Sequence, residues 1–120
     1  MKILVVDDEQ LVRWFLERAL TRLGHSVKAV SSGAEAITTL DGGGFDLMLT
    51  DLRMPGENGS TLISKVGEIP EQKRPRIIVC SAYITSEIAE DYKNGGIGVL
   101  RKPFKLEELE NAISAVSGIA

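Results

Sequence analysis

The sequence predicts an α/β domain built on a five-stranded parallel sheet covered by helices on both faces. Three observations predict it. Short β-rich runs alternate with stretches of helical periodicity along the whole chain. The run Ile3-Leu4-Val5-Val6 is continuously apolar, as a strand buried on both faces must be. The chain has 120 residues, 43% hydrophobic and 26% charged, which makes one ordinary domain with a core that needs no disulfide or metal staple.

The elements follow in order. After the first strand, Val12, Leu16, Ala19, Leu20 and Leu23 fall on one side of a helix that Gly24 stops. Ser26-Val27-Lys28-Ala29-Val30 alternates more and suits an edge strand. A short helix over 34–40 leads to Gly42-Gly43-Gly44. No helix begins directly after these glycines, so they read as a connector rather than an anion cradle. The third strand is Phe45-Asp46-Leu47-Met48-Leu49-Thr50, followed by a short helix over 60–66. Arg76-Ile77-Ile78-Val79-Cys80 is the fourth strand, and a helix over 86–93 separates it from the fifth, Ile97-Gly98-Val99-Leu100. After Pro103, a last helix sets Leu106, Leu109, Ile113 and Val116 on one face.

Composition excludes several classes of function. Fourteen Lys and Arg against seventeen Asp and Glu leave a net charge of −3, which argues against nucleic-acid binding through a basic footprint. A single Cys makes neither an internal disulfide nor a Cys-rich zinc site, and its place at the end of an apolar strand assigns Cys80 to packing. The first apolar run stops at Asp7 and Asp8, so it is neither a signal peptide nor a membrane span. A cytoplasmic domain is the expectation. His25, in the turn after Gly24, reads as a plain surface histidine.

In an open parallel sheet, ligands bind beyond the carboxyl ends of the strands. The polar residues there are Asp7 and Asp8 after the first strand, Asp51 after the third, Ser81 after the fourth and Lys102 after the fifth. Clustered carboxylates repel, and a shared cation is the usual remedy. Oxygen-only ligands favour Mg²⁺, Mn²⁺ or Ca²⁺ over zinc. A lysine and a hydroxyl beside them can bind phosphoryl oxygens, which is the equipment of phosphoryl transfer. Taken singly, the aspartates could cap a helix or shape a turn, and Lys102 could be a solvated charge. Their convergence at one edge makes the site reading the stronger one.

Four segments together resemble the receiver domain of two-component response regulators: Ile3-Leu4-Val5-Val6-Asp7-Asp8-Glu9, Asp51-Leu52-Arg53-Met54-Pro55 with Gly59, Ser81-Ala82, and Lys102-Pro103-Phe104. They occur in the family's order and spacing across essentially residues 1–120, read as a single receiver domain. The resemblance implies a flavodoxin-like strand order 2-1-3-4-5. It also implies that Asp51 is the phosphoacceptor, charged by a sensor histidine kinase or a histidine phosphotransfer protein. Asp8 and Asp51 would hold Mg²⁺ through side-chain oxygens, Arg53 through its main-chain carbonyl, and Asp7 through water. Ser81 and Lys102 would bind phosphoryl oxygens, and the bond between Lys102 and Pro103 would be cis. Receivers commonly carry Tyr or Phe three residues before the lysine, as the partner of Ser81 in the switch. This sequence has Val99 there, so the aromatic half of the switch is absent or done differently, with Tyr83 the nearest aromatic substitute in sequence.

A downstream effector domain or protein and a phosphorylation-linked homodimer are further expectations of the resemblance. The alternative reading is a small aspartyl-nucleophile phosphatase. Such enzymes place two Asp residues two apart after the first strand, whereas Asp7 and Asp8 are adjacent. A nucleotide or flavin binder fits poorly, because no Gly-rich phosphate fingerprint follows any strand. The domain is expected to act on itself only, not as an enzyme on a separate substrate. Finally, at 100° per residue, Trp14 projects away from the apolar side of the first helix, with Leu11, Phe15 and Arg18 beside it. That composition, one turn from Asp8, suits a docking patch for the phosphodonor.

Overall fold

The computed structural model describes residues 1–52 and 59–117. Strands β1 (Lys2–Val6), β2 (Ser26–Val30), β3 (Leu47–Thr50), β4 (Arg76–Ser81) and β5 (Gly98–Arg101) alternate with helices α1 (Gln10–Arg22), α2 (Gly33–Asp41), α3 (Gly59–Gly67), α4 (Ser86–Asn94) and α5 (Leu106–Ser117). Every pairing is parallel and the sheet order is β2-β1-β3-β4-β5, the flavodoxin-like order. A 3₁₀ turn, Glu71–Lys73, precedes β4 and is too short to leave a periodic signature in the sequence.

The continuous apolar runs are explained by two cores, one on each face. Ile3, Val5, Leu47, Leu49, Ile78 and Cys80 point to the side covered by α1 and α5, where Leu16, Leu20, Leu109 and Ile113 meet them. The alternate residues Leu4, Val6, Met48, Ile77 and Val79 meet Ala36, Leu40, Leu62, Val66 and Ala89 from α2, α3 and α4. Each fully buried Leu or Ile contributes about 1.5–3 kcal/mol relative to exposure. The edge strand β2 has the alternating burial its sequence suggests. Gly98 opens β5 because a Cβ there would lie 2.7 Å from Val116 Cγ1 and 3.0 Å from Ile78 Cγ1, so α5 can approach only a bare backbone.

Two leucines depart from the expected apolar stripes. Leu23 is 36% exposed, because α1 ends at Arg22 and the following residue leaves the helical path as its C-cap. Leu106, the first residue of α5, is 42% exposed. The third strand also begins later than its sequence suggests. Phe45 and Asp46 belong to the approach, where the Asp46 N–H donates to the Lys2 carbonyl at 2.8 Å. Gly43 and Gly44 take positive φ values of 72° and 86°, which a connector tolerates only with glycine.

Candidate functional site

Strand order reverses on either side of β1, so the crevice beyond the carboxyl ends of β1 and β3 is the switch point of the sheet. Asp7 and Asp51 stand there, each one residue past its strand. The Asp7 N–H donates to Val30 O at 3.2 Å and the Asp51 N–H donates to Val6 O at 3.1 Å, so neighbouring strands fix both backbones. Arg13 Nη1 donates to the Asp7 carbonyl at 2.7 Å, and Thr50 Oγ1 donates to the Asp51 carbonyl at 3.0 Å. Asp7 is 2% exposed and Asp51 8%. Buried carboxylates of this kind demand a partner.

The partner is Lys102. Its Nζ lies 2.8 Å from Asp7 Oδ2 and 3.1 Å from Asp51 Oδ2. The Lys102 N–H donates to the Ser81 carbonyl at 3.0 Å, and the bond to Pro103 is cis, as the resemblance implies. Burial alone would lower the Lys102 pKa. The hydrogen bond and charge of Asp7, then those of Asp51, outweigh burial and raise it, so the ammonium is firmly held. Ser81 is 1% exposed, and its hydroxyl accepts from the Tyr83 N–H at 3.1 Å.

The site holds one acid more than the sequence reading assigned. Carboxylate oxygens of Asp7, Asp8, Glu9 and Asp51, one from each, all lie within 4.8 Å of one another. Glu9 is brought in by an Asx-like turn in which its N–H donates to Asp7 Oδ1 at 2.9 Å. The signal that could have found it is plain in retrospect: a third consecutive acid at the end of a buried strand. For the buried pair Asp7 and Asp51, repulsion at this range is about 3 kcal/mol at an effective dielectric of roughly 20. Among the described residues, the Lys102 ammonium and the Arg13 guanidinium at the Asp7 carbonyl set two positive charges against the four acids. An oxygen-only set with that excess fits a hard divalent cation. Arg53 lies outside the described residues.

The remaining candidates are distributed as follows. Val99 is partly buried against the core under α2, α3 and α4. Tyr83 is 67% exposed, so its ring is not packed inward beside Ser81. Burial pushes the Cys80 thiol up to about 12, a tendency that Lys102 opposes and Asp7 and Asp51 reinforce, and this marks a packing residue rather than a nucleophile. On α1, Leu11, Trp14 and Phe15 are 79%, 59% and 44% exposed, and the Arg18 guanidinium lies 4.8 Å from the Trp14 ring centroid. Leu11 and Phe15 also line a groove of about 400 Å³ whose other walls include Ala82, Lys102 and Phe104, so the patch runs into the site.

An acid cluster and a shared lysine at the switch point of a 2-1-3-4-5 sheet have the chemistry suited to a cation and a phosphoryl group. The pattern of the response regulator receiver domain matches residues 3–114, and the chain belongs to that family. It is 40% identical over 114 residues to the DNA-binding transcriptional regulator NtrC of Azospirillum brasilense, covering 92% of this chain and 23% of that protein. It is 32% identical over 117 residues to the transcriptional regulatory protein TcrA of Mycobacterium tuberculosis, covering 98% of this chain and 46% of that one. The chain therefore spans about a quarter to a half of the length of these relatives. The chemotaxis response regulator CheY4 of Vibrio cholerae superposes with a TM-score of 0.85 at 28% identity, over 96% of this chain and 97% of that one. Among the described residues, no helix is long and apolar enough to cross a membrane.

Proposed function

We propose that this receiver domain takes a phosphoryl group onto Asp51 from a phosphohistidine of a sensor kinase or phosphotransfer protein. The observation that carries the reading is a single ammonium, Lys102 Nζ, shared between two buried carboxylates at 2.8 and 3.1 Å inside a cluster of four acids. In the transfer, an Asp51 carboxylate oxygen forms the new bond to phosphorus as the nitrogen–phosphorus bond of the donor breaks. The donor imidazole leaves and takes up a proton. Lys102 then exchanges the Asp51 carboxylate for a phosphoryl oxygen, and the Ser81 hydroxyl turns its proton toward another. Asp7, Asp8 and Asp51 are the side chains that would hold Mg²⁺, with Glu9 beside them and the Arg53 carbonyl as the family implies. When bound, that ion neutralises the negative charge that would otherwise keep a phosphoryl group away. The domain acts on itself, gaining and losing one phosphoryl group, and is not assigned a separate substrate. No observation favours a phosphatase.

The α1 patch is the docking surface we assign to the phosphodonor, because Leu11 and Phe15 share a groove with Lys102 and so lead directly to the reacting atoms. We place the domain in the cytoplasm, with a downstream effector domain or protein receiving the signal and a homodimer as one form of the output. The NtrC and TcrA relatives are transcriptional regulators, and this supports an effector in the parent protein. Incubation with acetyl phosphate and Mg²⁺ should give one acid-stable, base-labile adduct, and Asp51→Asn should abolish it. Undiminished labelling of that variant at any other residue would overturn the assignment.

A further inference from the structure

Receivers usually read the phosphorylated state through an aromatic ring at the place that Val99 occupies here. A valine has no ring to swing inward, so a signal that leaves the site takes another route. The structure offers another connection. Arg101 is the register partner of Ser81 across β4 and β5, and it immediately precedes Lys102. Its guanidinium reaches across the sheet edge, where Nη1 donates to the Ile84 carbonyl at 2.5 Å. Ile84 is 7% exposed and belongs to the core beneath α2, α3 and α4. The next residue, Thr85, caps α4 by accepting from the Ile88 N–H at 3.2 Å, and its carbonyl takes the Ala89 N–H at 2.9 Å.

Building on the phosphoacceptor reading above, we propose that Arg101 is a positioning residue that couples the Asp51 site to α4, by clamping the β4–α4 loop through the Ile84 carbonyl. The clamp joins two short pieces of chain, and each carries one of the groups assigned to phosphoryl oxygens. Ser81 lies three residues before Ile84, and Lys102 lies one residue after Arg101. When Lys102 turns from Asp51 to the phosphoryl group and Ser81 Oγ leaves the Tyr83 N–H, both ends of the clamp are drawn toward Asp51. A charge-assisted hydrogen bond between them makes them move as one body. The capped first turn of α4 is fixed to that body, so the displacement is delivered to the helix without an aromatic side chain.

The rival account is that Arg101 only tightens a loop. Hydrogen exchange over residues 82–94 separates the two, measured with and without beryllium fluoride and Mg²⁺, which leave a stable phosphoryl-like adduct on a carboxylate. Wild type should change its exchange in this segment when the adduct forms. Arg101→Ala should form the adduct within about threefold of wild-type affinity yet lose about two thirds or more of that change, and Arg101→Lys should restore about half of it. An Arg101→Ala protein that takes the adduct and responds as wild type does overturns the inference and leaves the phosphoacceptor reading standing. So does exchange that rises evenly across all five strands, or an Arg101→Lys protein as silent as the alanine variant. If wild type takes no adduct, the reading of the site fails and the clamp falls with it.

Discussion

The two ends of the sheet make an instructive pair. The amino end carries the larger hollow, about 940 Å³, walled by Gly42, Gly43, Gly44, Phe45, Lys73 and Arg74 among others. The carboxyl end carries a groove less than half that size. Among the described residues, several polar contacts at the amino end lie near the surface. The Lys2 N–H donates to Asp46 Oδ2 at 2.7 Å, Arg74 Nε donates to the Ile69 carbonyl at 2.9 Å, and His25 Nδ1 lies 3.1 Å from the Met1 amino group. At the carboxyl end two carboxylates are taken out of water and share one cation, with two further acids in reach. The difference teaches that volume alone does not mark a site. Desolvated charge does, because only there does an incoming ion or phosphoryl group meet fields that water does not screen.

The sharpest way to break this comparison is to remove the shared cation. Lys102→Ala leaves Asp7 and Asp51 buried against each other, and without Mg²⁺ the loss in urea unfolding at neutral pH should be about 2 kcal/mol, below the full penalty for a buried pair because Lys102 keeps some solvent contact. The pH dependence has a definite sign. The Lys102 pKa is raised in the folded state, by Asp7 and Asp51 against burial, so its contribution is fully present below the unfolded lysine pKa of about 10.4. It is lost as pH rises through the higher folded value. Wild type should therefore weaken above that point more steeply than Lys102→Met, and parallel alkaline profiles would show that the pair contributes nothing.

The docking assignment extends the carboxyl-end chemistry to a partner. Trp14→Ala should slow transfer from the cognate histidine donor about tenfold or more, equivalent to about 1.4 kcal/mol. Acetyl phosphate needs no docking surface, so its rate should barely change. Equal slowing with both donors, or with neither, removes the patch from the mechanism.

The smallest effects test the two ends directly against each other. Asp8→Asn relieves repulsion in the cluster, so it should stabilise the metal-free protein by about 1 kcal/mol and reduce the stabilisation that Mg²⁺ confers. Gly44→Ala forces a side chain onto a φ of 86° and should destabilise by about 1 kcal/mol, with the Mg²⁺ response and phosphoryl uptake unchanged. Both are read from denaturation midpoints with and without the ion. Identical Mg²⁺ responses in wild type and Asp8→Asn would dissolve the shared site.

Much of this architecture could be read locally. Strands buried on both faces write themselves as apolar runs, and polar residues follow within two positions of each, so Asp7, Asp51, Ser81 and Lys102 were recognisable by position. The helical stripes were also legible where the helix stays over the sheet. They misled at Leu23 and Leu106, because projecting a stripe cannot tell where the helix begins or ends. A third acid in a row is a signal for Glu9, but the run alone does not say whether its side chain turns back or out. That depends on the turn formed by its N–H and Asp7 Oδ1.

By itself the sequence determined the alternation of elements, the two-faced core and the identity of the groups at the carboxyl edge, since these follow from periodicity and from the polar residues that follow each run. Only the tertiary structure decided which charges share a partner. Lys102 is 95 residues from Asp7 and 51 from Asp51, and Arg101 reaches Ile84 across a gap of 17. Such pairings exist only after crossovers have brought the strand ends together, because an electrostatic contact depends on distance and burial, and neither is a local property of the chain.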